Sequence, residues 1–158
     1  MSSDFQIVMD SVNEALDLLY RHDHYLIYNQ PRGLRQRENH VSERGIVFRF
    51  GIYLEKVCKK QKFFDGYNID AEYNRNFYEP KYLPKSPNGS YPDLIIHKRG
   101  SNDFNLLIIE FKTWWDDNNE TDIRKIKEFM DLTGNYRYKF GLSVVLDKEK
   151  PICEWVSL

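Results

Sequence analysis

The stretch PDLIIHKRGSNDFNLLIIEFK, residues 92–112, holds two apolar runs separated by a polar turn. DLIIHK (93–98) and FNLLIIEFK (104–112) each read as a strand, and RGSND between them reads as a hairpin turn. The second run ends oddly, because Glu110 and Lys112 flank Phe111 where a buried strand would stay apolar. Side chains two apart in a strand share a face. Glu110 and Lys112 are therefore expected as neighbours on the face of Leu106 and Ile108, with Phe111 on the other. In an antiparallel hairpin the start of one strand lies beside the end of the next. That puts Asp93 near Glu110. Two converging carboxylates repel unless a cation sits between them. Oxygen donors of this kind suit Mg²⁺ or Mn²⁺.

Outward from this hairpin the chain supplies two helices and a strand before it and an α-β-β tail after it. Phe5, Val8, Val12, Leu16 and Leu19 have helical spacing over residues 4–20. RHDHYLIYNQPRGLRQRENH (21–40), broken by Pro31 and Gly33, reads as mostly loop. A second helix is expected from Ser42, as N-cap, to about Lys60, with Gly45 and Gly51 against it. NIDAEYNR alternates like a half-buried strand, and KYLPKSPNGSYP reads as loop. After WWDDNNETD come a helix over 122–133 and strands in YKFGLSVVLD and ICEWVSL. The expected order is α-α-β-β-β-α-β-β, an α/β fold with a central mixed sheet flanked by helices. With 158 residues, one domain is expected, a helical extension over 1–40 preceding a core of about 41–158.

Composition narrows the function classes. Charged residues make up 30% and aromatics 15%, which describes a folded protein rather than a disordered one. The net charge of −1 supplies no global attraction to nucleic acid, so a local basic surface would have to do so. Cys58 and Cys153 form no CxxC pair, which disfavours a disulfide framework or zinc cluster. No long apolar run or signal-peptide pattern is present, so a cytoplasmic protein without membrane contact is expected. Neither GxxxxGK[ST] nor GxGxxG occurs, which weighs against a nucleotide cofactor.

Pro92-Asp93, a spacer, then Glu110-Phe111-Lys112 resembles the PD-(D/E)XK phosphodiesterase superfamily of restriction enzymes, junction resolvases and repair nucleases. SERGIVFR, DAEYNRN, PDLIIHKRG and LLIIEFK are also similar to a group of uncharacterised prokaryotic members. The resemblance covers roughly Ser42 to Leu146 and implies a restriction-endonuclease-like core. It also implies a nuclease that hydrolyses phosphodiester bonds with Mg²⁺ or Mn²⁺, DNA being the expected partner. Asp93, Glu110 and the Phe111 main-chain carbonyl would hold the ion, and Lys112 would position water. Many members add a glutamate from the first core helix. Here Glu43 shares a stripe with Val47, Phe50, Leu54 and Val57, whereas Glu55 lies ~120° around the helix, so Glu43 is the expected fourth catalytic residue and a ligand for a second ion. Arg32, Arg35, Arg37 and Arg44 either form a solvated face or contact phosphates. His22-Asp23-His24 reads as surface rather than a metal site, and Trp114-Trp115 as packing rather than base stacking. The alternative function is a binding domain that keeps the fold without catalysis.

Overall fold

A computed structural model describes residues 3–29, 40–84, 89–116 and 120–158. Helix α1 spans Ser3–Ile27 and α2 Glu43–Cys58, followed by a 3₁₀ turn at Lys62–Phe64. Strand β1 is Asn68–Ala71, and Arg75–Asn76 (β2) with Glu79–Pro80 (β3) forms a small hairpin. Then come β4 (Leu94–His97), β5 (Leu107–Thr113), α3 (Glu120–Met130), β6 (Phe140–Leu146) and β7 (Pro151–Val156). The main sheet runs β1-β4-β5-β6-β7. Only the β5–β6 pair is parallel, as the crossover through α3 requires, so this is an α/β fold with a mixed sheet.

Strand alternation divides the interior in two. Leu107, Ile109 and Phe111 of β5 face α1 and α2, joining Val8, Val12 and Leu16 of α1 with Ile46, Phe50 and Leu54 of α2. Ile95 and Ile108 point the other way, to Ile126, Phe129 and Met130 of α3 with Tyr136 and Tyr138. Close approach of α3 depends on Gly141 in β6, where an added Cβ would overlap Ile126 Cγ2 and Met130 Sδ. Among the described residues no helix is long and apolar enough to cross a membrane.

Several local expectations are corrected. Residues 21–27 are helix rather than loop: α1 continues past Leu19 with a kink at Asp23 (φ −128°, ψ 25°). Asp23 takes a hydrogen bond from Tyr53 Oη at 2.5 Å, which fixes the kink, and the turn beyond it buries Ile27. Strand β1 stops at Ala71 because Glu72 turns the chain at φ 49°, and the β2–β3 hairpin follows. Leu106 precedes the regular part of β5 and packs with the α1–α2 core, not on the Ile108 face. Helix α3 ends at Met130, where Asp131 accepts from Thr133 N and Oγ1, both at 2.8 Å.

Next to the β2–β3 hairpin, Lys81 is 1% exposed. Its ammonium donates to Tyr73 O at 3.3 Å and Tyr138 Oη at 3.2 Å, and lies over the rings of Tyr73, Tyr136 and Tyr138. Nearby, burial would raise the Asp70 carboxyl, but hydrogen bonds accepted from His97 Nε2 at 2.9 Å, Arg99 Nε at 2.8 Å and Arg99 Nη2 hold it well below the usual range.

Candidate active site

The site forms where β4 begins and β5 ends. Leu94 pairs with Ile109, so the register carries Asp93 to the level of Glu110. Asp93 Oδ2 accepts a hydrogen bond from Phe111 N at 2.7 Å, which ties the loop residue to the neighbouring strand. In a strand the N–H and C=O of one residue point to the same edge, so the Phe111 carbonyl also faces the Asp93 edge.

Glu110 is 2% exposed on the α3 face of β5. Its neighbour on that face, Lys112, is not its partner. Lys125 of α3 reaches Glu110 Oε2 at 2.7 Å and also donates to Tyr91 O at 2.6 Å. Lys112 instead turns to Asp122 of α3 at 3.3 Å and to Asp116 at 3.8 Å. The second oxygen of the glutamate, Oε1, is buried without a protein hydrogen-bond partner.

Glu43 is the first residue of α2, after Ser42, whose hydroxyl caps Gly45 N at 3.3 Å. It stays half-buried while Val47, Phe50, Leu54 and Val57 beyond it are buried. Glu55 lies off this stripe, exposed, in an ion pair with Lys59 at 2.8 Å.

The electrostatics tie these groups together. Burial and then the charge of Asp93 lift the Glu43 carboxyl to about 7, with Asp122 and Asp116 adding and Lys112 opposing. Glu110 is pushed well above its ordinary range by burial and by Asp93, against the pull of Lys125. Burial also raises Asp93, opposed by the Phe111 N–H and by Lys125 and Lys112. Asp122 rises by burial despite Lys112. For Lys112 the order reverses: burial lowers its pKa, but Asp122, Glu43 and Asp116 together hold it above the usual value. The pocket is crowded with acids that resist ionising together.

Such a donor set fits a hard divalent cation. Among the described residues no three His, Cys, Asp or Glu side chains make a ready-formed metal cluster. Mg²⁺, however, commonly takes one or two carboxylates with waters and phosphate. Asp93, Glu110 with its orphaned Oε1, and the Phe111 carbonyl meet that requirement.

The remaining candidates fall elsewhere. Arg44 pairs with Glu72 at 2.6 Å on the surface, and Arg32, Arg35 and Arg37 lie outside the described residues. His24 Nε2 contacts Lys148 O at 2.5 Å, and Asp23 faces Tyr53 and Arg49, so His22-Asp23-His24 does not converge on an ion. Trp114 packs: its indole donates to Ile27 O at 3.0 Å and its ring meets Tyr28 and Lys148. Sequence reasoning missed Asp122 and Lys125. Both lie beside the α3 stripe Ile126–Phe129, a helical spacing visible in the sequence. No family model, curated protein or solved structure matches the chain.

Proposed function

We propose that the chain is a metal-dependent nuclease of restriction-endonuclease-like fold that hydrolyses phosphodiester bonds, with DNA the expected substrate. The observation that carries this reading is the meeting of Asp93 and Glu110 at adjacent strand ends, with Glu110 Oε1 buried and unpartnered. Pro92-Asp93 leads directly into β4 and Glu110-Phe111-Lys112 lies in the neighbouring β5, with α2 before and α3 after them in the chain, which supports the reading drawn from the sequence resemblance.

Asp93, Glu110 and the Phe111 carbonyl would hold Mg²⁺ or Mn²⁺, and Glu43 a second ion. Bound there, the ion supplies neutralisation of phosphate charge and a more acidic water. The chain's own residues do the rest. Lys112, held cationic by Asp122, Glu43 and Asp116, donates to a water and to developing charge on phosphate oxygens. Lys125 holds Glu110 in place and anchors the Tyr91 carbonyl just before Asp93.

A second reading, a binding domain without catalysis, is favoured by one observation: Lys125 and Lys112 already neutralise Glu110 and Asp122 within the protein. Cleavage of supercoiled plasmid and labelled oligonucleotides with Mg²⁺ or Mn²⁺ separates the two. Catalysis predicts nicking that disappears in Asp93→Ala. Binding without any metal-dependent cleavage, or equal cleavage by the variant, would leave the second reading standing.

A further inference from the structure

Beside the carboxylates, on the α2 side, lies a cleft of about 200 Å³ lined by Val47, Phe48 and Ala71, with Glu43 and Asp93 at the candidate site and Arg44 and Glu72 also on its wall. It is smaller than the ~300–1,000 Å³ usual for drug-sized ligands, and accepts a group the size of one planar ring system. Phe48 stands out within it. Its neighbours Val47 and Phe50 are buried, yet Phe48 is 66% exposed, leaving much of an aromatic ring in water next to the site. Arg44, on the same wall, is held among the described residues by an ion pair with Glu72 whose side chains are 81% and 43% exposed. Exposed pairs of this kind are weak and easily exchanged for another anion.

An aromatic face, a slot of single-ring depth and a releasable guanidinium, all adjoining a site read as acting on phosphodiesters, define one kind of occupant. We propose that the cleft receives an unpaired base stacked on Phe48, with Arg44 moving from Glu72 to the adjoining phosphate, so that the substrate is single-stranded or locally frayed. This rests on the nuclease reading above and adds the substrate class. A base within a duplex already has both faces stacked, and entering the cleft requires its extrusion, which duplex pairing opposes. Stacking on an aromatic side chain is tolerant of base identity, and phosphate contacts carry no sequence information, so the cleft selects strandedness rather than sequence.

The test is equilibrium binding by fluorescence anisotropy in Ca²⁺ buffer, using one mixed-sequence DNA oligonucleotide as a single strand and as a blunt duplex, with intact substrate checked on a gel. Wild type is expected to bind the single strand more tightly. Phe48→Ala should weaken single-strand binding about tenfold or more, the scale of one lost base–aromatic stack, and leave duplex binding unchanged. Phe48→Trp should retain the preference, and Tyr78→Ala, removing a fully exposed tyrosine outside the cleft, should change neither affinity. A 2-aminopurine placed along the single strand should show one position whose fluorescence changes on binding wild type but not Phe48→Ala. Unchanged single-strand affinity in Phe48→Ala, or equal losses for single strand and duplex, overturns the cleft assignment while metal-dependent cleavage by wild type leaves the nuclease reading intact. Failure of wild type to bind or cut any nucleic acid overturns both. Because Phe48 is mostly exposed, both variants should melt like wild type, and a folded Phe48→Trp that loses the preference counts against stacking.

Discussion

Lys112 is embedded among acids, so its removal does two things at once. On the proposed nuclease reading it orients water and meets phosphate charge, so Lys112→Met is expected to lower single-turnover cleavage by ~10²-fold or more. The same change leaves Asp122, 6% exposed, without its cation. We expect a melting loss of about 1–2 kcal/mol, smaller than for a fully buried pair because Lys112 is partly solvated. Adding Asp122→Asn to Lys112→Met should recover stability without recovering activity, whereas a purely structural lysine would recover both. Lys112→Arg should rescue only in part, since a planar guanidinium cannot place a compact charge at the same point. Lys81 makes a separate residue-scale prediction. Burial pulls its pKa down to about 8, against an opposing effect of Asp70. An unfolded lysine keeps its proton to ~10.4. Between these values the unfolded chain binds more protons, so stability rises with pH across that window. Relative to Lys81→Met, wild type should therefore gain on the order of 3 kcal/mol between pH 7 and pH 10.5. Parallel denaturation profiles for the two proteins would show that the tyrosine surroundings stabilise the ammonium fully.

At the scale of elements, the placement of each helix on the sheet decides which side chains meet. Glu43→Gln should lower cleavage strongly and Glu55→Gln little, because only Glu43 lies on the inward stripe of α2; equal effects would break that assignment. Gly141→Ala should cost about 1–3 kcal/mol by overpacking β6 against Ile126 and Met130. Its effect on cleavage should exceed that of an equally destabilising change in the α1–α2 core, because α3 carries Lys125 and Asp122. The regular parts of this arrangement were legible in the sequence. The α2 stripe, the Ser42 cap and the apolar runs of β4 and β5 are local patterns, and they put Asp93 beside Glu110 through register alone. What escaped depended on distant contacts. Beyond Leu19 the helix kinks at Asp23, which Tyr53 holds, and resumes to a buried Ile27, and two-residue strands such as β2 and β3 are too short to alternate. Asp122 closes the acidic WWDDNNETD segment, and nothing local in it points to Lys112. The seating of α3 on the sheet, close at Gly141, brings it within 3.3 Å of Lys112.

For the molecule as a whole, a net charge of −1 hides a concentrated acidic pocket. A cation that binds only the folded pocket raises stability by mass action, about 2.7 kcal/mol at a hundred times its Kd. Millimolar Mn²⁺ should therefore raise the melting temperature of wild type and leave Asp93→Ala nearly unmoved. Equal shifts in both proteins would mean that the ion acts elsewhere. The unequal division of the interior carries one more consequence. Helices α1 and α2 share the larger core with the sheet, whereas α3 rests on the smaller one. Cooperative units with fewer buried contacts open at lower free energy than the whole chain. In native-state hydrogen exchange, amides of α3 should accordingly exchange ahead of those in the middle of α2. Each such opening withdraws Lys125 from Glu110 and Asp122 from Lys112 while the β4–β5 ladder persists. A ligand that requires the assembled pocket should then slow exchange along α3 selectively, and protection of that helix becomes a readout of occupancy that needs no turnover.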